Sequence, residues 1–342
     1  MTLPRALLSE ALRLARSPLA AAHLACGLAA GLACGEYFSV ARWDPALGAD
    51  AYAQFLGALM PLMSAIVCGL AVDEERAAGR LANLTAVPSR GRAVAAKLLA
   101  LAALGAGALA VALGVFGAVL AVAGRLPLGP APLAAAWAGI ALGSLPLYAL
   151  WLGVALRLGR NAAIGVGAAG TLLAFFSVGG LAHGLMTGEL TGALAMPLSW
   201  VPLAWPARLG SLGVEAFIDA ARAAAPLLTT ALAGLVLALA AAAILLAWFC
   251  RFEDGRVDAQ EAARRRARPP LRSARPGRKR PARRRLVLPE TLRPVCRSMM
   301  AAFTSSTRMP ESDGSSERRR TASPLSASVA AARSVTVSAR VK

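Results

Sequence analysis

Few residues in this 342-residue chain are equipped for chemistry. None of its three lysines completes a G-x-x-x-x-G-K-[ST] phosphate loop, because Lys97 precedes Leu98, Lys279 precedes Arg280 and Lys342 is terminal. The two histidines, His23 and His183, form no HExxH or other paired metal-ligand spacing. The five cysteines contain no CxxC, which points to neither a zinc site nor a disulfide framework. No catalytic residue, metal or bound cofactor is therefore expected. His183 lacks any flanking signature of nucleophilic catalysis and reads as a packing or interface histidine. His23 lies within an apolar run, where a polar group marks a functional position by default. The competing reading for His23 is a hydrogen-bonded packing histidine.

Two polar stretches stand out. The first, DEERAAGRLANLTAVPSRGRAVAAK, covers residues 73–97. In it Leu81, Leu84 and Val87 recur at three-residue steps, with Glu74, Glu75 and Arg80 around them. Pro88 disfavours helix at Val87. Ser89 can cap a new helix that carries Arg90 and Arg92 at its start and runs on through Lys97. The pattern is helix, break, helix: a stiff hook whose leucines are free to fill a groove on a partner. The second, MPLSWVPLAWPARL, covers residues 196–209 and alternates Trp200 and Trp205 with Pro197, Pro202 and Pro206. Tryptophan favours the headgroup level and proline interrupts helices there, which predicts short re-entrant or surface-lying pieces.

The elements that must position these stretches are oily. Apolar residues make up 57% of the chain and charged ones only 16%, against about a quarter in soluble domains. An uncharged run of about 18 residues is long enough to cross ~30 Å of hydrocarbon as a helix. Six runs qualify: residues 17–35, 51–72, 98–123, 133–156, 162–185 and 227–249. The expected fold is all-α, a polytopic membrane protein of six transmembrane helices. The first run is longer than a signal-peptide core, and Gly31-Leu32-Ala33-Cys34 lacks the aliphatic residue of a lipidation site, so a retained helix is expected. Residues 1–16 read as an amphipathic interfacial helix, with Arg5, Ser9, Arg13 and Arg16 on one face and Leu3, Leu7, Leu8, Leu12 and Leu14 covering the other. Pro146, beside Gly143 and Ser144, predicts a kink in the fourth span.

Basic residues near the spans divide ten to four in favour of the side bearing the N-terminal arm and residues 73–97. The positive-inside bias places both termini and the hook in the cytoplasm. The formal charge of +19 is concentrated in the tail: residues 1–250 hold 14 basic and 10 acidic residues, the remainder 23 and 8. Residues 256–342 read as a disordered Arg-rich tail that cannot bury enough apolar surface to fold. Attraction to anionic lipid is the functional reading of its basic clusters, a solvated tail with no selected role is the favoured one, and nucleic acid is not expected as a partner.

Glu74-Glu75, Gly79, Leu81, Asn83-Leu84, Pro88-Ser89-Arg90 and Lys97, in that order, resemble the cytoplasmic loop of ABC-2-type transporter permeases. More narrowly they resemble the lantibiotic-immunity (MutG-type) permease subunits. Leu145-Pro146-Leu147-Tyr148, Gly159 to Ile164-Gly165, and Pro202-Leu203-Ala204-Trp205-Pro206-Ala207-Arg208 are similar to that subfamily too. The resemblance covers about residues 1–255 as a single six-helix transmembrane domain and leaves out the tail. It implies a coupling helix, formed by Glu74, Glu75, Gly79, Leu81, Leu84, Pro88 and Arg90, that docks on a separate cytoplasmic ATPase holding the ATP. It also implies an export path near Trp200, Pro202, Trp205, Pro206 and Arg208, a second related permease or a homodimer, and a bacterial plasma-membrane location. The implied activity is expulsion of a lantibiotic or similar antimicrobial peptide. An ABC-2 exporter of a drug, lipid or polysaccharide shares these features, and a non-ABC intramembrane protein or enzyme is the remaining alternative.

Overall fold

The computed structural model describes residues 2–79, 81–126, 128–177, 187, 190, 192–193 and 197–252. The chain divides into two compact units, Met1–Arg264 and Arg265–Lys342, and every described residue belongs to the first. The expected Arg-rich tail at 256–342 lies outside the described residues, as do Arg80, His183 and the end of the fifth expected span.

Among the described residues all regular structure is helical. In chain order the helices are α1 (Leu3–Ala15), α2 (Pro18–Val40), α3 (Pro45–Gly79), α4 (Ala82–Thr85), α5 (Arg90–Val122), α6 (Ala131–Leu158), α7 (Arg160–Ser177), α8 (Trp205–Glu215) and α9 (Ala220–Cys250). Two 3-10 turns, Pro197–Trp200 and Pro202–Ala204, lead into α8. Five helices are long and apolar enough to cross a membrane: α2, α3, α5, α6 and α9. The described part of α7 has 18 residues and packs against α3 and α6.

Length separates α3 and α5 from the rest. At 35 and 33 residues they reach about 50 Å, well beyond the ~30 Å of a hydrocarbon core. About half of the excess is the polar sequence 73–97, so at that end the two helices form a stalk that carries the hook. The core lies where α3, α5 and α6 meet. Tyr52 stacks on Phe116 at 4.2 Å between ring centres, and Ile140, Tyr148, Trp151 and Leu152 of α6 are buried in the same core. At the rim, α2 and α9 bury only 28% and 22% of their most apolar stretches and leave the rest as an apolar outer surface.

Prolines inside helices are compensated locally. The backbone N–H of Leu62, just after Pro61 in α3, donates to Thr171 Oγ1 of α7 at 3.1 Å. Ser64 Oγ donates to the Met60 carbonyl at 2.5 Å, and Ser144 Oγ donates to the Ile140 carbonyl at 2.6 Å. Both serine hydroxyls bond back to a carbonyl one turn earlier in their own helix, which satisfies them where no water would reach. Helix α6 is continuous through Pro146.

Helix α8 corrects one expectation. All eleven of its residues are buried, so it does not lie on a surface. It is wedged between α3 and α6, where glycines permit backbone contact. A Cβ on Gly143 would stand 2.8 Å from the Pro206 nitrogen, and one on Gly213 would stand 2.7 Å from the backbone of Ala135. Gly57 abuts the backbone of Pro206 and Ala207 in the same way.

Candidate functional site

The hook differs in detail from its expected form. Helix α3 runs unbroken through the acidic pair to Gly79, and only one helical turn, α4, follows. Between them Leu81 adopts φ 65°, the left-handed region, and its N–H reaches the Glu75 carbonyl at 3.3 Å. That conformation costs a non-glycine residue about 1–2 kcal/mol. Burial of the leucine, which is 1% exposed, contributes about 1.5–3 kcal/mol and wins.

This burial overturns one role given to the sequence motif. Leu81 and Leu84 are both 1% exposed and belong to the chain's own core, so they cannot fill a groove on a partner. Their three-residue spacing marks the face that holds the hook to its stalk. The outward face consists of Ala77, Ala78, Gly79, Ala82, Asn83, Ala86 and Pro88, which are small or polar. Ser89 does occupy the N-cap position of α5, but its side chain makes no cap; instead Arg92 Nε donates to Ser89 Oγ at 2.9 Å.

Four consecutive residues at the top of α3 each tie the hook to a different element. Asp73 pairs with Arg160 at the start of α7 at 3.2 Å; both are well exposed, so this bond contributes little. Glu74 accepts from Ser17 Oγ at 2.9 Å, while the same Ser17 oxygen caps α2 by accepting from the Leu19 N–H. Glu75, 1% exposed, pairs with Lys97 of α5 at 2.7 Å and with Arg13 of α1, and accepts from Asn83 Nδ2 at 3.1 Å. Arg76 donates to the carbonyls of Ala155 and Leu156 at 3.2 and 2.8 Å, satisfying the open end of α6.

Lys97, 3% exposed, also pairs with Glu10 of α1 at 3.4 Å, and Glu10 pairs with Arg13. Two carboxylates and two cations thus close a neutral ring across α1, α3 and α5. Burial alone would lower the pKa of Arg13, but its hydrogen bond to Glu75 and the charges of Glu10 and Glu75 raise it above the ordinary value. The polar side of α1 is therefore partly turned inward: Arg13, which the sequence pattern places on the arginine face, is a partner of Glu75. Leu8 and Leu12, 61% and 50% exposed, form the outward face. On the far side of the hook, Arg90 donates to the Thr85 carbonyl at 3.0 Å and to the Phe252 carbonyl at 2.9 Å, joining the end of α9 to the start of α5.

The opposite end of α3, about 37 Å away along the helix, holds a second buried polar cluster. Ser211 Oγ of α8 donates to Asp50 Oδ1 at 2.5 Å and lies 3.3 Å from Glu215 Oε1. Gln54 Nε2 donates to Asp50 Oδ2 at 2.9 Å. Glu215 accepts the backbone N–H groups of Gly192 and Ala193 at 2.6 and 3.1 Å. Arg208 Nε donates to the Gly192 carbonyl at 3.3 Å, and its guanidinium lies 4.9 Å from the Trp200 ring centre. Burial pulls the pKa of Arg208 below the ordinary value, and Glu215 opposes the shift.

Of the residues expected near an export path, Trp200 and Arg208 are brought together. Trp200 is 58% exposed, whereas Trp205 and Arg208 are buried and Pro202 is half-buried. Pro206 begins α8 against Gly143. Sequence reasoning missed Glu10, Asp50, Gln54, Ser211 and Glu215. A lone carboxylate at the edge of an apolar run was the available signal for Asp50. Among the described residues no group of three or more His, Cys, Asp or Glu side chains is arranged to hold a metal. No family model matches the chain, and none of the characterised proteins or solved structures compared with it matches it.

Proposed function

We propose that the chain is the permease subunit of an ABC exporter, driven by a separate ATPase and expelling a lantibiotic or similar antimicrobial peptide from a bacterial plasma membrane. In this reading the uncharged run at 162–185 is a sixth span, α1 lies at the interface, both termini are cytoplasmic, and a second permease or a copy of this chain completes the pathway. ATP is bound by the partner alone. The observation that carries the reading is the anchoring of the hook. Residues Asp73 to Arg76 bond in turn to α7, to the start of α2, to α1 and α5, and to the end of α6. A force applied to the outward face between Ala77 and Pro88 would be shared among most of the long helices at once. That is the mechanical property a coupling element needs, and a solvated loop lacks it.

The docking residues in this proposal are the exposed Gly79, Ala82, Asn83, Ala86 and Pro88. Glu74, Glu75, Leu81, Leu84 and Arg90 hold them in place. Purification of the full chain from its native membranes should bring down an ATPase. Ala82→Arg with Ala86→Arg should release that ATPase and abolish peptide resistance while the permease still inserts. Wild-type ATPase association and resistance in this double variant, or no ATPase with the wild-type chain, would remove the proposal's support.

A further inference from the structure

Between α2, α3 and α5 lies a cavity of about 170 Å³ with an unusual lining. His23 and Cys26 contribute from α2, and Met60 and Met63 from α3. Within each pair the residues are three apart, so both fall on one helix face. The cavity is otherwise lined by apolar and small residues. His23 is only 7% exposed, yet it makes no hydrogen bond or ion pair with any described residue. The hydrogen-bonded packing histidine expected from sequence is therefore not what the helix presents. A buried imidazole without a partner is costly, and it lines the same space as three sulfur atoms.

We infer that His23, Cys26, Met60 and Met63 form a binding site for a soft monovalent d10 cation, Cu(I) or its analogue Ag(I). Thioether and thiolate sulfur select soft ions, and an imidazole nitrogen suits copper. Two thioethers in the donor set disfavour Zn(II), Mg(II) and Ca(II), which take harder ligands. Charge points the same way. Binding releases the Cys26 proton to solvent, and one thiolate then neutralises one unit of positive charge. A divalent ion would leave net charge in apolar surroundings, at a large desolvation penalty. Cys26 is exposed and also lines the cavity. His23 lies five residues into α2, about 8 Å from the helix start beside the hook ring. An ion arriving from that polar end meets the nitrogen and sulfur of α2 before the methionines of α3. The inference stands independently of the exporter reading.

The test uses the full chain in lipid nanodiscs, with Cys34, Cys250 and Cys296 changed to Ala so that Cys26 and the fully buried Cys68 are the remaining thiols. Cu(I) is supplied anaerobically in competition with a chromogenic chelator, and Ag(I) in parallel. The expected result is about one Cu(I) per chain, X-ray absorption with nitrogen and sulfur both bound to the metal, and retention in an excess of Zn(II). His23→Leu, Cys26→Ser and the isosteric pair Met60→Leu with Met63→Leu should each lower the affinity tenfold or more. The methionine pair conserves volume, so it reports on ligation even if the histidine variant fails to fold. Undiminished affinity in the methionine pair, a metal bound by sulfur alone, or displacement by Zn(II) would each overturn the assignment.

Discussion

Glu75 shows how a residue in an acidic pair can differ from its neighbour. Sequence marks Glu74 and Glu75 equally, and the structure separates them: Glu74 is exposed and holds Ser17, while Glu75 is sealed against Lys97, Arg13 and Asn83. Nothing in the local sequence forecasts this, because the partners come from α1 and α5. A buried pair is stable only while both charges are present. Removing one partner of such a pair costs about 3–5 kcal/mol, whereas replacing both by apolar or neutral groups is often close to neutral. Lys97→Met should therefore lower unfolding stability by about 3–5 kcal/mol, with Glu75 left facing Glu10 and only Arg13 to balance them. Adding Glu75→Gln should restore most of the loss, because glutamine keeps the Asn83 contact without the charge. Denaturant unfolding of the detergent-solubilised chain measures both, and an equal loss in the double variant would show that Glu75 and Lys97 act separately. At this scale the sequence showed that charge sits at the end of α3, and it could not show which charges are buried.

At the scale of elements, the long helices were legible because an uncharged run has a minimum length and a charged one cannot enter hydrocarbon. The run at 51–72 falls within α3, that at 98–123 matches α5 up to its C-cap Ala123, and the break at Pro88 falls between α4 and α5. Two details differ from expectation for the same physical reason. Spacing identifies an apolar face but not what covers it. Leu81 and Leu84 were read as facing a partner and are covered by the chain itself. The stretch 196–209 is expected to form re-entrant or surface-lying pieces; Trp200 is exposed, but the part that enters α8 is enclosed rather than surface-lying, because Gly57, Gly143 and Gly213 let it approach α3 and α6 at backbone distance. The enclosure is open to test. Gly57→Leu should drive α8 away from α3, since even a Cβ there meets the backbone of Pro206 and Ala207. It should expose Arg208 to proteolysis and cost several kcal/mol, about the upper range of overpacking effects. Gly107→Ala in α5, where a Cβ would meet nothing within 4 Å, should instead stabilise by about 0.5–1 kcal/mol through helix propensity. Similar proteolysis patterns for the two variants would mean that α8 is not held by close packing.

Across the whole molecule the two polar clusters sit at opposite ends of α3, and each buries carboxylates among several helices. The hook ring involves α1, α3 and α5, and the second cluster joins α3 to α8 and to the backbone at Gly192 and Ala193. One continuous helix, a rod interrupted only at Pro61, joins the two clusters, so a lengthwise displacement of the hook would be felt at Asp50. Whether that rod runs from inside to outside depends on orientation, which rests on the ten-to-four distribution of basic residues. Single cysteines can decide it in a chain whose native cysteines are changed to Ala. Asn83→Cys places a thiol on the exposed face of the hook, and Leu128→Cys places one on the exposed connection between α5 and α6. In intact cells a membrane-impermeant maleimide should label position 128 and spare position 83, and permeabilised cells should label both. Equal labelling after permeabilisation shows that both thiols are reachable, so the contrast in intact cells reports sidedness alone. The reverse pattern would put the hook outside the cell, away from any source of ATP, and the exporter reading would fall with it.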